Sequence, residues 1–285
     1  LREELPVPNK FRLRPLSLAA CLGLGALAGC HQPDIAREHL FRPDRWAPVS
    51  WDGGELRAGT PLAFDVRNDR GSVWVEVDEK LEAPVVEARV SWQGKERTKT
   101  WPGDSAGAAV YAARDTTQAA GDVIRISSTL NEGAPESAFV DVRVRTPRCD
   151  GVTVLNNGGP IVLVGVGGAI TARNGEQGGR IEVRTSRHLT DPVALVTARG
   201  KVSAVIGPGG SGLIELDSES GSAEFESEFG LVTEVRPSPG RFRGVWNSGA
   251  NPIIARSGDG DVHVQVQRNA EMYSVSDDWL ALFKD

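Results

Sequence analysis

Apolar residues recur at every second position through the middle of the chain, and a glycine introduces each run. Gly159-Pro-Ile-Val-Leu-Val, Gly168-Ala-Ile-Thr-Ala-Arg, Gly179-Arg-Ile-Glu-Val-Arg, Gly200-Lys-Val-Ser-Ala-Val, Gly212-Leu-Ile-Glu-Leu-Asp and Gly221-Ser-Ala-Glu-Phe-Glu obey one rule. Asp191-Pro-Val-Ala-Leu-Val joins them with Asp in the glycine place. A turn residue and one variable residue precede apolar side chains at alternate positions, and the anchors fall 9 to 12 residues apart. Period-two alternation marks a strand with one buried face, and its return at that pace marks stacked β-structure. No copy carries enough apolar surface to fold alone. Stacking is therefore expected to place Ile161/Leu163, Ile170/Ala172, Ile181/Val183, Val193/Leu195, Val202/Ala204, Ile214/Leu216 and Ala223/Phe225 in one continuous apolar column. The residues between them face water, and the glycines sit at corners.

The pattern divides the chain. Residues 1–29 hold Lys10, Arg12 and Arg14 ahead of a short apolar run, 16–28, and read as a signal peptide. Residues 30–61 are rich in Pro, Arg and Asp, with Trp46 and Trp51, and read as a tether. Residues 62–146 form a smaller β module: 62–78 holds an isolated copy of the motif, Gly71-Ser-Val-Trp-Val, and 80–145 reads as antiparallel strands on longer connections. One of them alternates Val86, Ala88, Val90 and Trp92 with polar residues, and Gln93-Gly94-Lys95 is a turn candidate. Residues 147–267 hold the array, broken at Pro237-Ser-Pro-Gly240 and closed by Gly260-Asp-Val-His-Val-Gln-Val. In 268–285, Met272, Val275, Trp279 and Phe283 are spaced like one face of a helix that would cap the open end of the stack. The expected fold is all-β, a parallel β-solenoid after a smaller antiparallel module. An antiparallel sandwich is the alternative, although hairpins rarely repeat one apolar pair at one offset from a glycine.

The stretch 64–266 resembles a known bacterial family, the "putative adhesin" Gly-ladder β-solenoids, a domain of unknown function. The resemblance lies in Asn68-Asp-Arg-Gly71-Ser-Val-Trp-Val, Val142-Arg-Val-Arg-Thr-Pro147, the ladder, and Ser257-Gly-Asp-Gly-Asp-Val-His-Val. It implies an architecture and no catalytic residues. Asp191 in a corner and the irregular 237–252 depart from the family pattern.

Composition adds a compartment. Leu27-Ala28-Gly29-Cys30 after the apolar run resembles a bacterial lipobox, in which the cysteine becomes the lipidated first residue of the mature chain. The alternative is an ordinary secretory signal or a short membrane anchor with Cys30 as a bystander. Cleavage would also remove Cys21 and leave Cys149 as the one free thiol, so no internal disulfide is expected. The formal net charge is −6, and loss of residues 1–29, which carry a net +2, leaves −8. Without a dense Lys/Arg tract, nucleic acid is not expected as a partner. A lipid anchor on Cys30, followed by His31 rather than Asp, implies an envelope address, most simply the outer membrane.

Two glycine motifs invite chemistry. Gly103-Asp-Ser105-Ala-Gly107 has the form of a serine nucleophile elbow, but Pro102 and the small residues around it suit a turn. Gly207-Pro-Gly209-Gly-Ser-Gly212 has the form of a dinucleotide loop, but a strand follows where a helix should receive phosphate. The histidines, His31, His39, His188 and His263, show no metal-ligand spacing, so no metal, cofactor or catalytic residue is expected. One surface is distinctive. Glu215, Asp217, Glu219, Glu224, Glu226, Glu228 and Glu234 follow one another with no Lys or Arg between Gly212 and Val235. That run reads as a solvated edge that discourages aggregation, or as a face for Ca²⁺ or a cationic partner. The functional expectation is a non-enzymatic envelope lipoprotein of structural or adhesive role, meeting an envelope protein or polysaccharide through a solenoid face. A sensor or scaffold for another envelope protein, and a carbohydrate-active β-helix enzyme, are the alternatives.

Overall fold

Alternation becomes strand wherever the glycine rule holds. In the computed structural model, which describes residues 46–49, 51–52, 56–57, 59–92, 108–115, 121–130 and 138–272, the chain is all-β. The strands in chain order are β1 (Ala47–Pro48), β2 (Trp51–Asp52), β3 (Leu62–Asn68), β4 (Val73–Val77), β5 (Val85–Trp92), β6 (Ala108–Asp115), β7 (Asp122–Leu130), β8 (Ala138–Thr146), β9 (Gly151–Gly158), β10 (Ile161–Val164), β11 (Ala169–Gly178), β12 (Ile181–Thr185), β13 (Val193–Thr197), β14 (Val202–Ile206), β15 (Gly212–Ser218), β16 (Ala223–Ser227), β17 (Val232–Ser238), β18 (Arg241–Trp246), β19 (Pro252–Ser257) and β20 (Val262–Val266). A 3-10 turn, Ala270–Met272, ends the described chain. The expected helix beyond it, the Gln93-Gly94-Lys95 turn, the Gly103–Gly107 motif, Cys21 and Cys30 lie outside the described residues.

These strands make two mixed sheets, neither closed on itself. The nine-stranded sheet runs β1-β5-β8-β4-β10-β12-β14-β20-β16, and the eleven-stranded sheet β17-β18-β15-β19-β13-β11-β9-β3-β7-β6-β2. From β9 to β16 successive strands alternate between the sheets, so neighbouring copies of the motif in sequence never pair. The single column expected from the sequence is therefore two. Val73, Ile161, Ile181, Val202, Val262 and Ala223 stand in register in one sheet. Ile124, Phe64, Val152, Ile170, Val193, Ile253 and Ile214 do so in the other. Both columns feed one hydrophobic core. On the opposite face of the nine-stranded sheet, Trp74 and Val162 make a small separate cluster.

Order along the stack departs from order along the chain at two places. The copy at 62–78 is not isolated: β3 lies between β7 and β9, and β4 between β8 and β10. Both sheets thus run without a break across residues 146 and 147. At the other end the chain passes from β14 to β15 and β16, turns back through the antiparallel β17–β18 hairpin, and only then lays β19 and β20 into the vacant rung between them. The expected break at Pro237-Ser-Pro-Gly240 falls at its end, in the Pro239-Gly240 turn between β17 and β18, while Pro237 stays within β17, an edge strand where a missing N–H interrupts no ladder. Within the expected tether, β1 pairs with β5 and β2 with β6, and the Arg89 guanidinium lies 5.0 Å from the centre of the Trp46 ring.

The corners are held by a second ladder that the apolar pattern hides. Ser128, Asn68, Asn156, Asn174, Thr197, Ser257 and Ser218 stand in register on seven adjacent strands of the eleven-stranded sheet, all buried. Asn156 Nδ2 donates to the carbonyls of Gly71 (2.9 Å) and Gly159 (3.1 Å), and Asn174 Nδ2 to Gly179 O (2.9 Å). Thr197 Oγ1 donates to Gly179 O, Ser257 Oγ to Gly200 O and Ser218 Oγ to Gly260 O, at 2.8 to 2.9 Å. Buried corner carbonyls need such partners, since the strand ladders end there. The glycines themselves stack. At Gly179 φ is +145°, and an added Cβ would run into the Gly159 carbonyl of the next rung.

Candidate functional site

The acidic run is not one face. Glu215 and Asp217 leave β15 in the eleven-stranded sheet, where cations from flanking strands meet them: Arg243 (3.0 Å) and Arg256 (3.3 Å) at Glu215, Arg241 (3.2 Å) at Asp217. Glu219 lies exposed in the turn after β15, and Glu234 on β17 at the outer edge of that sheet. Glu224 and Glu226 project from β16 in the other sheet, and Glu228 follows just beyond it; all three are exposed. The run's apparent lack of cations thus holds in sequence but not in space for its first two members. The arginines that neutralise them arrive from β18 and β19, outside the window that defines the run.

What remains is the edge strand β16, which pairs with β20 alone. Its inward side chain Phe225 stacks on Phe242 (5.6 Å between ring centres) and leans on Trp246 (6.2 Å), whose indole N–H donates to Phe229 O. That aromatic anchor fixes the strand, and alternation turns Glu224 and Glu226 outward. At its start, Ser222 donates from both N and Oγ to the Asp261 carboxylate (2.8 and 2.9 Å), and those hydrogen bonds hold the carboxyl below its ordinary value. Ser222 and Asp261 so tie the entries of β16 and β20 together. Across the ladder Glu224 stands opposite His263, and Glu226 opposite Gln265. Glu226 Oε2 lies 3.5 Å from His263 Nε2 and accepts from Gln265 Nε2 at 3.4 Å. The sequence shows His263 but does not join it to the glutamates, because it lies 39 residues beyond Glu224 on a strand that reaches β16 by the late insertion of β20.

Elsewhere the buried ionisable groups bind one another. Burial works to raise the Asp122 carboxyl, and hydrogen bonds from Arg114 (2.8 Å) and Arg57 (2.8 Å and 3.1 Å) overcome it and hold the group down at about 2. Asp141 is raised by burial, against Arg89 (2.7 Å) and two hydrogen bonds from Ser72. Burial pushes the Cys149 thiol up to about 12, which leaves no thiolate for nucleophilic chemistry. A cleft at the end of β12 is lined by Val77, Glu79, Gly165, Ser186, Arg187 and Glu271. There Ser186 spends its N–H and hydroxyl on the Glu271 carboxylate, and Arg187 pairs with Glu79 at 3.2 Å. The first ties the C-terminal turn to the end of β12, and the second ties that end to the segment after β4. The Gly207–Gly212 motif is the loop from β14 to β15, and strand follows it as the sequence indicates.

Among the described residues no helix is long and apolar enough to cross a membrane. No family model and no curated protein matches the chain. Among solved structures the chain is similar to "a putative cell adhesion protein" from Clostridium sporogenes ATCC 15579. The TM-score is 0.47 and the identity 8%, over 75% of this chain and 97% of that one. At that distance the likeness carries no weight for function.

Proposed function

We propose that the protein is a non-enzymatic, lipid-anchored envelope protein of structural or adhesive role, which binds a cationic partner surface through the β16 edge. The observation that carries this reading is the division of its charges. The buried carboxylates of Asp122 and Asp141 are spent on arginines inside the fold, while Glu224 and Glu226 on the exposed edge strand, and Glu228 just beyond it, pair with no arginine among the described residues. Catalytic acids converge in a cleft, whereas these line a ribbon. The finer architecture follows the same logic. Strands that alternate between two sheets, pair in parallel and turn at stacked glycines describe the rungs of a flattened β-solenoid, with antiparallel strands finishing both ends. A repetitive scaffold of that kind presents surface rather than a pocket.

The anchor is tested by Cys30→Ser, which is expected to move the protein from the membrane to the soluble fraction; continued membrane association sinks the lipoprotein reading. The edge is tested by cross-linking in native envelopes, comparing the wild type with a chain in which Glu224, Glu226 and Glu228 are all Gln. Loss of the wild-type cross-linked species supports the edge, and an unchanged pattern removes it. A single stoichiometric protein partner would favour a scaffold or sensor role over adhesion.

A further inference from the structure

Three ligand-bearing side chains from two strands meet on the outward face of the nine-stranded sheet. Glu224 and Glu226 are alternate residues of β16, and His263 stands across the parallel ladder from Glu224. One carboxylate oxygen of each glutamate and one imidazole nitrogen all lie within 4.8 Å of one another. A metal with bonds of about 2.0–2.2 Å places its donors about 3–3.5 Å apart, so closure asks for about 1 Å of side-chain movement. Both glutamates are exposed and free to make it.

A second observation concerns the polar atoms beside the carboxylates. The His263 side chain is 25% exposed, yet its Nε2 is shut off from solvent and makes no hydrogen bond, although it faces Glu226 at 3.5 Å. Next along the same row, in register with His263 on β14, is Ser203. It is 5% exposed, and its hydroxyl is likewise buried without a hydrogen-bond partner. A shielded imidazole nitrogen whose nearest polar neighbour is a carboxylate oxygen at 3.5 Å, with an unpartnered hydroxyl on the next strand, departs from the rule that buried polar groups are satisfied. A cation coordinated by Nε2 would give the nitrogen the partner it lacks.

We propose that Glu224, Glu226 and His263 form a binding site for a divalent first-row transition metal, with Zn²⁺ the best match. Imidazole and carboxylate oxygen are both good Zn²⁺ ligands, whereas Ca²⁺ and Mg²⁺ take oxygen shells and gain nothing from the nitrogen. Three protein ligands leave one position open. Occupancy ties the terminal strand β16 to β20 and cancels carboxylate charge along the free edge.

The test uses the full chain stripped with EDTA and then titrated with Zn²⁺ by calorimetry and with Co²⁺ by visible absorption. One equivalent per chain is expected, with ligand-field bands for Co²⁺ and a rise of several degrees in the melting temperature with Zn²⁺. His263→Gln and Glu226→Gln should each weaken binding at least tenfold and abolish the melting shift, while His188→Gln should not. Circular dichroism of the stripped variants separates ligand loss from misfolding, and Glu224→Gln, on an exposed side chain, supplies a variant expected to fold. Absence of stoichiometric uptake overturns the proposal. So does uptake that survives His263→Gln, or Ca²⁺ binding as tight as Zn²⁺, which would mark simple screening of an acidic edge.

Discussion

Asn156→Ala isolates the corner ladder from the apolar core. The Asn156 side chain, 3% exposed, donates to Gly71 O and Gly159 O and accepts from Asn68 Nδ2 at 3.1 Å. Alanine leaves two buried carbonyls and one buried amide without that partner. Each such orphan costs about 1–3 kcal/mol, and partial relaxation brings the sum to about 3–5 kcal/mol. For a folded unit of this size that is a fall in melting temperature of about 6–20 °C. Asn157→Ala, one residue on and exposed, is the control and is expected to change stability by no more than about 0.5 kcal/mol. Asn156→Asp sharpens the test. The carboxylate keeps the shape but cannot donate, and it faces carbonyl oxygens, so at neutral pH it should destabilise more than alanine. Buried without a cation, its folded pKa lies above its unfolded value, so the folded state holds the proton more tightly. Its deficit relative to wild type should therefore shrink as pH falls through that raised value. Urea unfolding followed by tryptophan fluorescence measures all three. A loss below about 1 kcal/mol for Asn156→Ala, or a pH-independent deficit for Asn156→Asp, would refute the ladder as a source of stability.

Gly179→Ala should cost at least about 2–3 kcal/mol, since it combines φ of +145° with a Cβ against the Gly159 carbonyl; near-native stability in thermal denaturation would contradict the stacked-corner geometry. Asp122, held at about 2 against a usual 3.8, contributes stability that is present above the usual value and lost as pH falls from about 4 towards 2. Asp122→Asn should accordingly flatten the acid limb of the stability curve, and an unaltered limb would place acid sensitivity elsewhere. In a chain with Cys21 and Cys30 replaced by Ser, Cys149 should resist a thiol reagent at about pH 8 while folded and titrate as one equivalent in guanidinium. Fast labelling of the folded chain would contradict its burial.

The sequence carried the rungs and the corners but not their order. Each copy of the motif offers the same apolar pair at the same offset, so any rung can stack on any other with equal complementarity. Nothing periodic in the chain records that β3 and β4 sit mid-stack or that β19 and β20 enter last. One usable signal went unread. On seven adjacent strands of the eleven-stranded sheet the residue four places after the apolar side chain of the shared column is small and polar: Ser128 after Ile124, Asn68 after Phe64, Asn156 after Val152, Asn174 after Ile170, Thr197 after Val193, Ser257 after Ile253 and Ser218 after Ile214. The same place in the other sheet holds Val77, Thr146, Gly165, Thr185, Ile206, Val266 or Ser227, with no such rule. That offset marks the columns only in part, because Thr146, Thr185 and Ser227 hold the same place in the other sheet and donate to the corner carbonyls of Arg148, Val166 and Phe229. The candidate site had no comparable signature. Glu224 and His263 become neighbours only through the insertion of β20, and the cations that silence Glu215 and Asp217 lie outside the acidic run.

The stack's four edges explain why β16 is the one to watch. A free edge offers unpaired backbone to any strand, and proteins blunt it by shortness, by bulges and proline, or by charge. β1 and β2 are two residues long. β17 shifts register between Thr233 and Arg236 and carries Pro237. β16 has neither device: it is five residues, in unbroken register with β20, and only Glu224, Glu226 and Glu228 guard it. Bulges, prolines and short strands are permanent, whereas charge can be cancelled by whatever brings the opposite sign. Among the described residues, the edge that a cation or a basic surface could unlock is thus also the one whose carboxylates meet a histidine.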